Sequence, residues 1–119
     1  MKKLSILLVV FLITAVGFAQ EKNWSEIREA KAAKFAEMAA QEFDLDKKQQ
    51  TALYERKIQH FNEQEAVKKK VKEGKQLTKE QKKKPNKTFG GYFGKLTGKS
   101  YEELKPFYIE ANKAMKKIK

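Results

Sequence analysis

A chain of 119 residues with 27 Lys and Arg against 15 Asp and Glu, one His and no Cys has room for one small, strongly basic domain. That composition excludes a disulfide framework, a thiolate nucleophile, a zinc ribbon, an iron–sulfur site and any multi-histidine metal centre. Catalysis would have to come from carboxylates and lysines alone. Their spacing reads as helix caps and surface pairs, so the chain is expected to be a non-enzyme that uses no cofactor and no metal.

Met1-Lys2-Lys3 gives a positive start to an apolar run from Leu4 to Phe18, and Gly17-Phe18-Ala19 puts small residues at the −3 and −1 positions of a cut before Gln20. These three parts predict a cleaved secretory signal peptide over 1–19. The run is shorter than the roughly 20 apolar residues of a spanning helix, and without a Cys it is no lipoprotein signal. The Ala19-Gln20 junction resembles those of exported Gram-negative proteins, so the expected location is periplasmic or secreted. Removal of the signal leaves 20–119 as a single helical domain with 25 basic and 15 acidic residues, a net charge of +10.

The mature chain reads as helices. Asn23 is placed to cap a first helix running to about Glu42, with Glu26 at N3 and an apolar stripe of Trp24, Ile27, Ala30, Phe35 and Met38. Asp46, with Gln49 three residues on, is placed to cap a second helix that runs to about Glu73 and stops at Gly74. Its stripe is Leu53, Tyr54, Ile58, Phe61, Val67 and Val71. Thr78 and Gln81 can open a further helical turn, which Pro85 is expected to cut short. From Thr88 to Gly98, glycines interrupt a stripe of Phe89, Phe93 and Leu96, predicting a weak helix or ordered loop. Ser100 and Glu103 form a capping box for the last helix, with Thr97 an alternative cap. Tyr101, Leu104, Tyr108, Ala111, Met115 and Ile118 then repeat at 3, 4, 3, 4, 3, a seam for packing along another helix, in this chain or in a partner. Pro106 should kink that rod.

Leu45-Asp46-Lys47-Lys48-Gln49 and Leu77-Thr78-Lys79-Glu80-Gln81 share the pattern Leu-(Asp/Thr)-x-x-Gln, and Leu96-Thr97 begins a third copy in which Ser100 replaces Gln. In this pattern, and over 25–115 in general layout, the chain resembles the Spy/CpxP family of periplasmic helical proteins, whose hallmark is repeated LTxxQ. The resemblance implies a small, all-helical, often dimeric protein that acts as an ATP-independent chaperone or envelope-stress modulator through a concave, basic and partly apolar surface. Leu45, Asp46, Gln49, Leu77, Thr78, Gln81, Leu96 and Thr97 carry over as structural residues only.

The charge is localised. Between Lys68 and Lys87 there are ten Lys and two Glu, a net +8. Lys68, Lys69, Lys70, Lys72, Lys75, Lys79, Lys82, Lys83, Lys84 and Lys87 are either a solvated connector or a polyanion-facing surface. Lysine suits loose contact rather than shaped recognition, and arginine is scarce, so specific nucleic-acid reading is disfavoured. Phe89, Tyr92 and Phe93 follow the patch directly, either to hold apolar client segments beside the lysines or to fill the core. His60 is expected to be a partly exposed helix residue.

The fold expected is all-α: three to four amphipathic helices in an elongated hairpin-like bundle. The function expected is binding of unfolded or acidic polypeptide through the basic, partly apolar surface. The alternatives are a cationic envelope protein on anionic lipid or lipopolysaccharide, and a coiled-coil adaptor or homodimer joined through the seam.

Overall fold

In the computed structural model, which describes residues 23–119, every helix begins at a side chain that accepts from an otherwise orphaned backbone N–H. The export signal expected over 1–19 lies outside the described residues. Asn23 Oδ1 accepts from Glu26 N at 3.2 Å and opens α1 (Trp24–Phe43). Asp46 opens α2 (Lys47–Lys72), Thr78 opens α3 (Lys79–Thr97) and Ser100 opens α4 (Tyr101–Lys116), each through a reciprocal capping box. At Asp46 the two bonds measure 2.7 and 3.0 Å, the Gln49 backbone N–H donating to Asp46 Oδ1 and the Asp46 N–H to Gln49 Oε1. Asp46→Ala removes the acceptor and should cost about 1 kcal/mol. A thermal melt should then show the midpoint about 4–8 °C lower.

The helices end as their sequences require. Gly74, at φ 86°, lets α2 close with paired bonds: Gly74 N donates to Val71 O and Lys75 N to Lys70 O, both at 3.0 Å. Gly98, at φ 72°, ends α3, and Gly98 N and Lys99 N both donate to Gly94 O. The turn is tight enough that a Cβ on Gly94 would lie 3.3 Å from Lys99 O. Helix α1 ends at Asp44, also left-handed at φ 57°.

The fold is all-α, with four helices and no strand among the described residues. Helix α1 packs along α2, α2 along α3, and α4 returns against α1. The core is an aromatic cluster centred on Phe35, whose ring centroid lies 5.5 Å from Phe89, 5.3 Å from Phe93 and 5.4 Å from Phe107. Phe43 closes one side, 5.1 Å from Phe107 and 5.8 Å from Phe93. Offset and edge-on ring pairs of this kind add to the area they bury. Ala32, Ala36 and Ala39 keep the α1 backbone close to its neighbours, and Leu53 and Leu104 complete the buried set.

Several expectations change here. Helix α3 runs unbroken through Pro85 and its three glycines. Pro85 is buried, and the carbonyl it leaves without a donor, that of Gln81, belongs to an exposed residue where water can serve it. Pro106 is likewise inside α4, in its second turn and exposed. Thr97 caps nothing downstream. It is the last residue of α3, and its hydroxyl donates to Phe93 O at 2.9 Å. Trp24 is 59% exposed rather than core, and Ala30 is exposed too, because the buried face of α1 is Ala32, Phe35, Ala36 and Ala39.

The α4 seam is used inside the chain. Leu104, Ala111 and Met115 are buried and Tyr108 packs on the core, while Tyr101 is exposed and Ile118 lies past the helix end. Phe107, absent from the predicted seam, is buried at its centre. With these positions filled by α1 and α3, the seam residues do not form an open coiled-coil face.

Candidate functional site

Two features are built by the α2–α3 pair, one outside the aromatic core and one against it. The first is a basic arm. From Glu65 to Lys84 no side chain is buried, and only Val67 and Leu77 are partly covered. The last turns of α2 and the first turns of α3 therefore lie outside the core. They face each other across a shallow groove of about 480 Å³ lined by Val67 of α2, Pro85 of α3 and Leu77 just before the α3 cap, with Lys70 and Lys84 on its walls. A second depression of about 550 Å³ has Val67 and Val71 in its floor and Lys68, Lys69, Lys72 and Lys82 around it.

All ten lysines of the segment, from Lys68 to Lys87, are exposed on this arm. One is in an ion pair, Lys75 with Glu73 at 3.6 Å. Such exposed pairs contribute little, so the arm keeps its positive field. The lysine segment is thus helix–turn–helix rather than an unstructured connector. Its three expected aromatic partners lie elsewhere. Phe89 and Phe93 are in the core, which corrects their assignment to the binding surface, and Tyr92 is half-buried beneath the Arg56 guanidinium, 4.5 Å from its ring centroid. The apolar component of the arm is aliphatic: Val67, Val71, Leu77 and Pro85.

The second feature is a buried polar chain that the sequence reading missed. Lys57 is 5% exposed and His60 8%. The Lys57 ammonium lies on the faces of Phe35 and Phe89, 4.4 Å from each ring centroid, and 5.1 Å from Phe61. Among the described residues no carboxylate comes within ion-pair distance of it. Its Nζ is 3.1 Å from His60 Nδ1, and His60 Nε2 is 2.7 Å from Asn86 Oδ1. Gln64 Nε2 donates to the same Asn86 oxygen at 2.9 Å. The pattern selects one tautomer: an ammonium donates to Nδ1, so the His60 proton sits on Nε2 and is donated to Asn86.

Burial pushes the Lys57 amine down from 10.5 to about 8. His60 is also held below its ordinary 6.5, by burial first and the Lys57 charge second, against the smaller raising effects of Asn86 and Glu63. The rings supply the electrostatic partner that a carboxylate would otherwise provide, each worth about 0.5–2 kcal/mol to a desolvated cation. Lys57, His60 and Gln64 follow Leu53 at i+4, i+7 and i+11, one face of α2. Two ionisable residues on that face broke the apolar stripe and hid it.

Beside this chain a pocket of about 380 Å³ opens between Phe61 on α2 and Tyr101, Tyr108 and Met115 on α4. Burial and the neighbouring Tyr101 push the Tyr108 phenol up to about 12. No protein-family model, curated protein or solved structure matches the chain.

Proposed function

We propose that this is an exported, non-enzymatic helical protein that holds unfolded acidic polypeptide without nucleotide, the activity implied by its resemblance to the Spy/CpxP family. The supporting observation is the arm: ten exposed lysines, six of them lining two shallow grooves with aliphatic residues, on a helical pair that continues into the aromatic core. The lysines gather negatively charged chain by Coulomb attraction. The grooves then take up apolar side chains weakly, so the client is held and released. Hydrated ammonium groups on flexible stems suit a client of no fixed shape.

Aggregation of an acidic client, followed by light scattering at low salt and equimolar protein, tests the reading. Suppression is expected, and it should fade as salt shortens the screening length to about 8 Å and below. Replacing Lys82, Lys83, Lys84 and Lys87 by Gln should remove most of it while leaving the helical circular dichroism unchanged, because these side chains are exposed. Absence of suppression by the unaltered protein would end this reading. Sedimentation with anionic but not neutral vesicles, without client protection, would transfer the arm to an anionic lipid or lipopolysaccharide surface, where each lysine contributes about 1 kcal/mol.

A further inference from the structure

We infer that the pocket beside Lys57 is a binding site for a small organic monoanion, a carboxylate carried on a flat apolar body. This site is separate from the arm and independent of the function proposed for it.

Four observations point there. Lys57 is 5% exposed, yet no carboxylate among the described residues neutralises it. Its ammonium has three donors, and His60 Nδ1 takes one of them. The pocket it lines, about 380 Å³, is of the size that takes small molecules, and its walls include the flat rings of Phe61, Phe89, Tyr101 and Tyr108. Amide groups of Gln64, Asn86 and Asn112 share that lining and can orient a polar ligand group.

The chemistry selects the ligand class. One buried positive charge is balanced by one negative charge, so a carboxylate fits better than a phosphate dianion, which calls for more cations or a run of backbone donors. The ammonium keeps its bond to His60 Nδ1, and a carboxylate oxygen entering from the pocket would compete with the Phe35, Phe61 and Phe89 rings for its remaining donors, offering a full negative charge where the rings offer only a quadrupole. The ligand's flat body then lies against the tyrosine and phenylalanine rings. Gly90 also lines the pocket, and a Cβ there would meet nothing within 4 Å, so the α3 wall leaves open space.

Benzoate is a suitable probe, with benzamide as the uncharged control of the same shape. The protein is titrated with each at pH 7, following the side-chain NMR signals of His60, Phe61 and Tyr108. Benzoate should shift these signals saturably, and benzamide should bind at least about tenfold more weakly. Lys57→Met, which keeps an apolar side chain of similar length in the core, should weaken benzoate by about tenfold or more, its fold checked by thermal melting. The arm variant carrying Gln at 82, 83, 84 and 87 should bind benzoate as the unaltered protein does. The inference fails if about 10 mM benzoate leaves the three signals unmoved. It fails equally if benzamide matches benzoate, if Lys57→Met binds normally, or if the arm variant loses binding, which would place the anion on the arm. None of these results bears on whether the arm protects unfolded client.

Discussion

Phe35→Ala should lower the unfolding free energy by about 3–5 kcal/mol, the usual cost of removing a buried aromatic ring. Phe35 is fully buried and touches rings from α3 and α4, as well as the Lys57 ammonium from α2. Among the ring and cation–ring contacts of the described residues, it is the one side chain that reaches all four helices, so its loss opens a cavity where every element meets. Small domains hold only about 5–15 kcal/mol in total. With about 4–8 °C lost per kcal/mol in a domain of this size, the thermal midpoint should fall by about 12–40 °C. Ile109→Ala, an apolar truncation on the exposed side of α4, is the control and should change stability by less than about 0.5 kcal/mol. Circular dichroism melts of the two variants decide it. A Phe35→Ala midpoint within a few degrees of the parent would mean that the ring cluster does not organise the fold.

The second large effect is an unusual pH profile: the protein should become more stable between pH 8 and 10. In the unfolded chain Lys57 titrates at its ordinary 10.5, and in the folded protein at about 8. Between those values the unfolded state binds more protons, so unfolding is increasingly disfavoured as pH rises. The full gain would approach about 3 kcal/mol by pH 10.5. It is cut off near the top, because the Tyr108 phenol is raised from 10.0 to about 12. Above pH 10 the unfolded state loses that proton first, and stability falls again. On the acid side His60 is lowered from 6.5, so protonation favours the unfolded chain and stability drops as pH falls below that value. A proton on Nδ1 would also face the Lys57 ammonium and break the bond between them. The maximum is therefore expected near pH 10. Lys57→Met should abolish the rise between pH 8 and 10 while retaining the fall above it. Urea unfolding at half-unit pH steps measures both curves, and a parent curve that is flat or falling from pH 8 to 10 would contradict the assignment.

Local capping chemistry made the helix starts legible, since Asn23, Asp46, Thr78 and Ser100 each need only the residue three positions on. The α2 stop was legible for a similar reason: Gly74 supplies the positive φ that closes it. What failed was the reading of α3 and of the buried faces. Pro85 and three glycines argue against a helix by propensity, but Pro85 sits early in α3 and is buried, while Phe89 and Phe93 bury two whole rings. Tertiary packing outweighed the local cost. The inward face of α2 was hidden because Lys57 and His60 occupy it, and such residues are ordinarily taken as solvent-facing. Phe107 was missed because the regular seam through Leu104, Tyr108 and Ala111 accounted for α4 without it, whereas α4 turns a broader face to the core. The position of the lysine arm could be read from charge alone. Its helical form could not, since α3 runs through Pro85 and three glycines that argue against a helix locally.

The proposed binding requires the arm to be a helical pair that presents its lysines to negatively charged, unfolded chain. Backbone amide NMR of the protein, titrated with an unfolded acidic polypeptide at low salt, tests this most directly. The account predicts shift changes confined to residues 67–88, with helical shifts retained there and the changes lost at high salt. Changes centred instead on the exposed faces of α1 and α4, or non-helical shifts across 68–87 in the free protein, would contradict it.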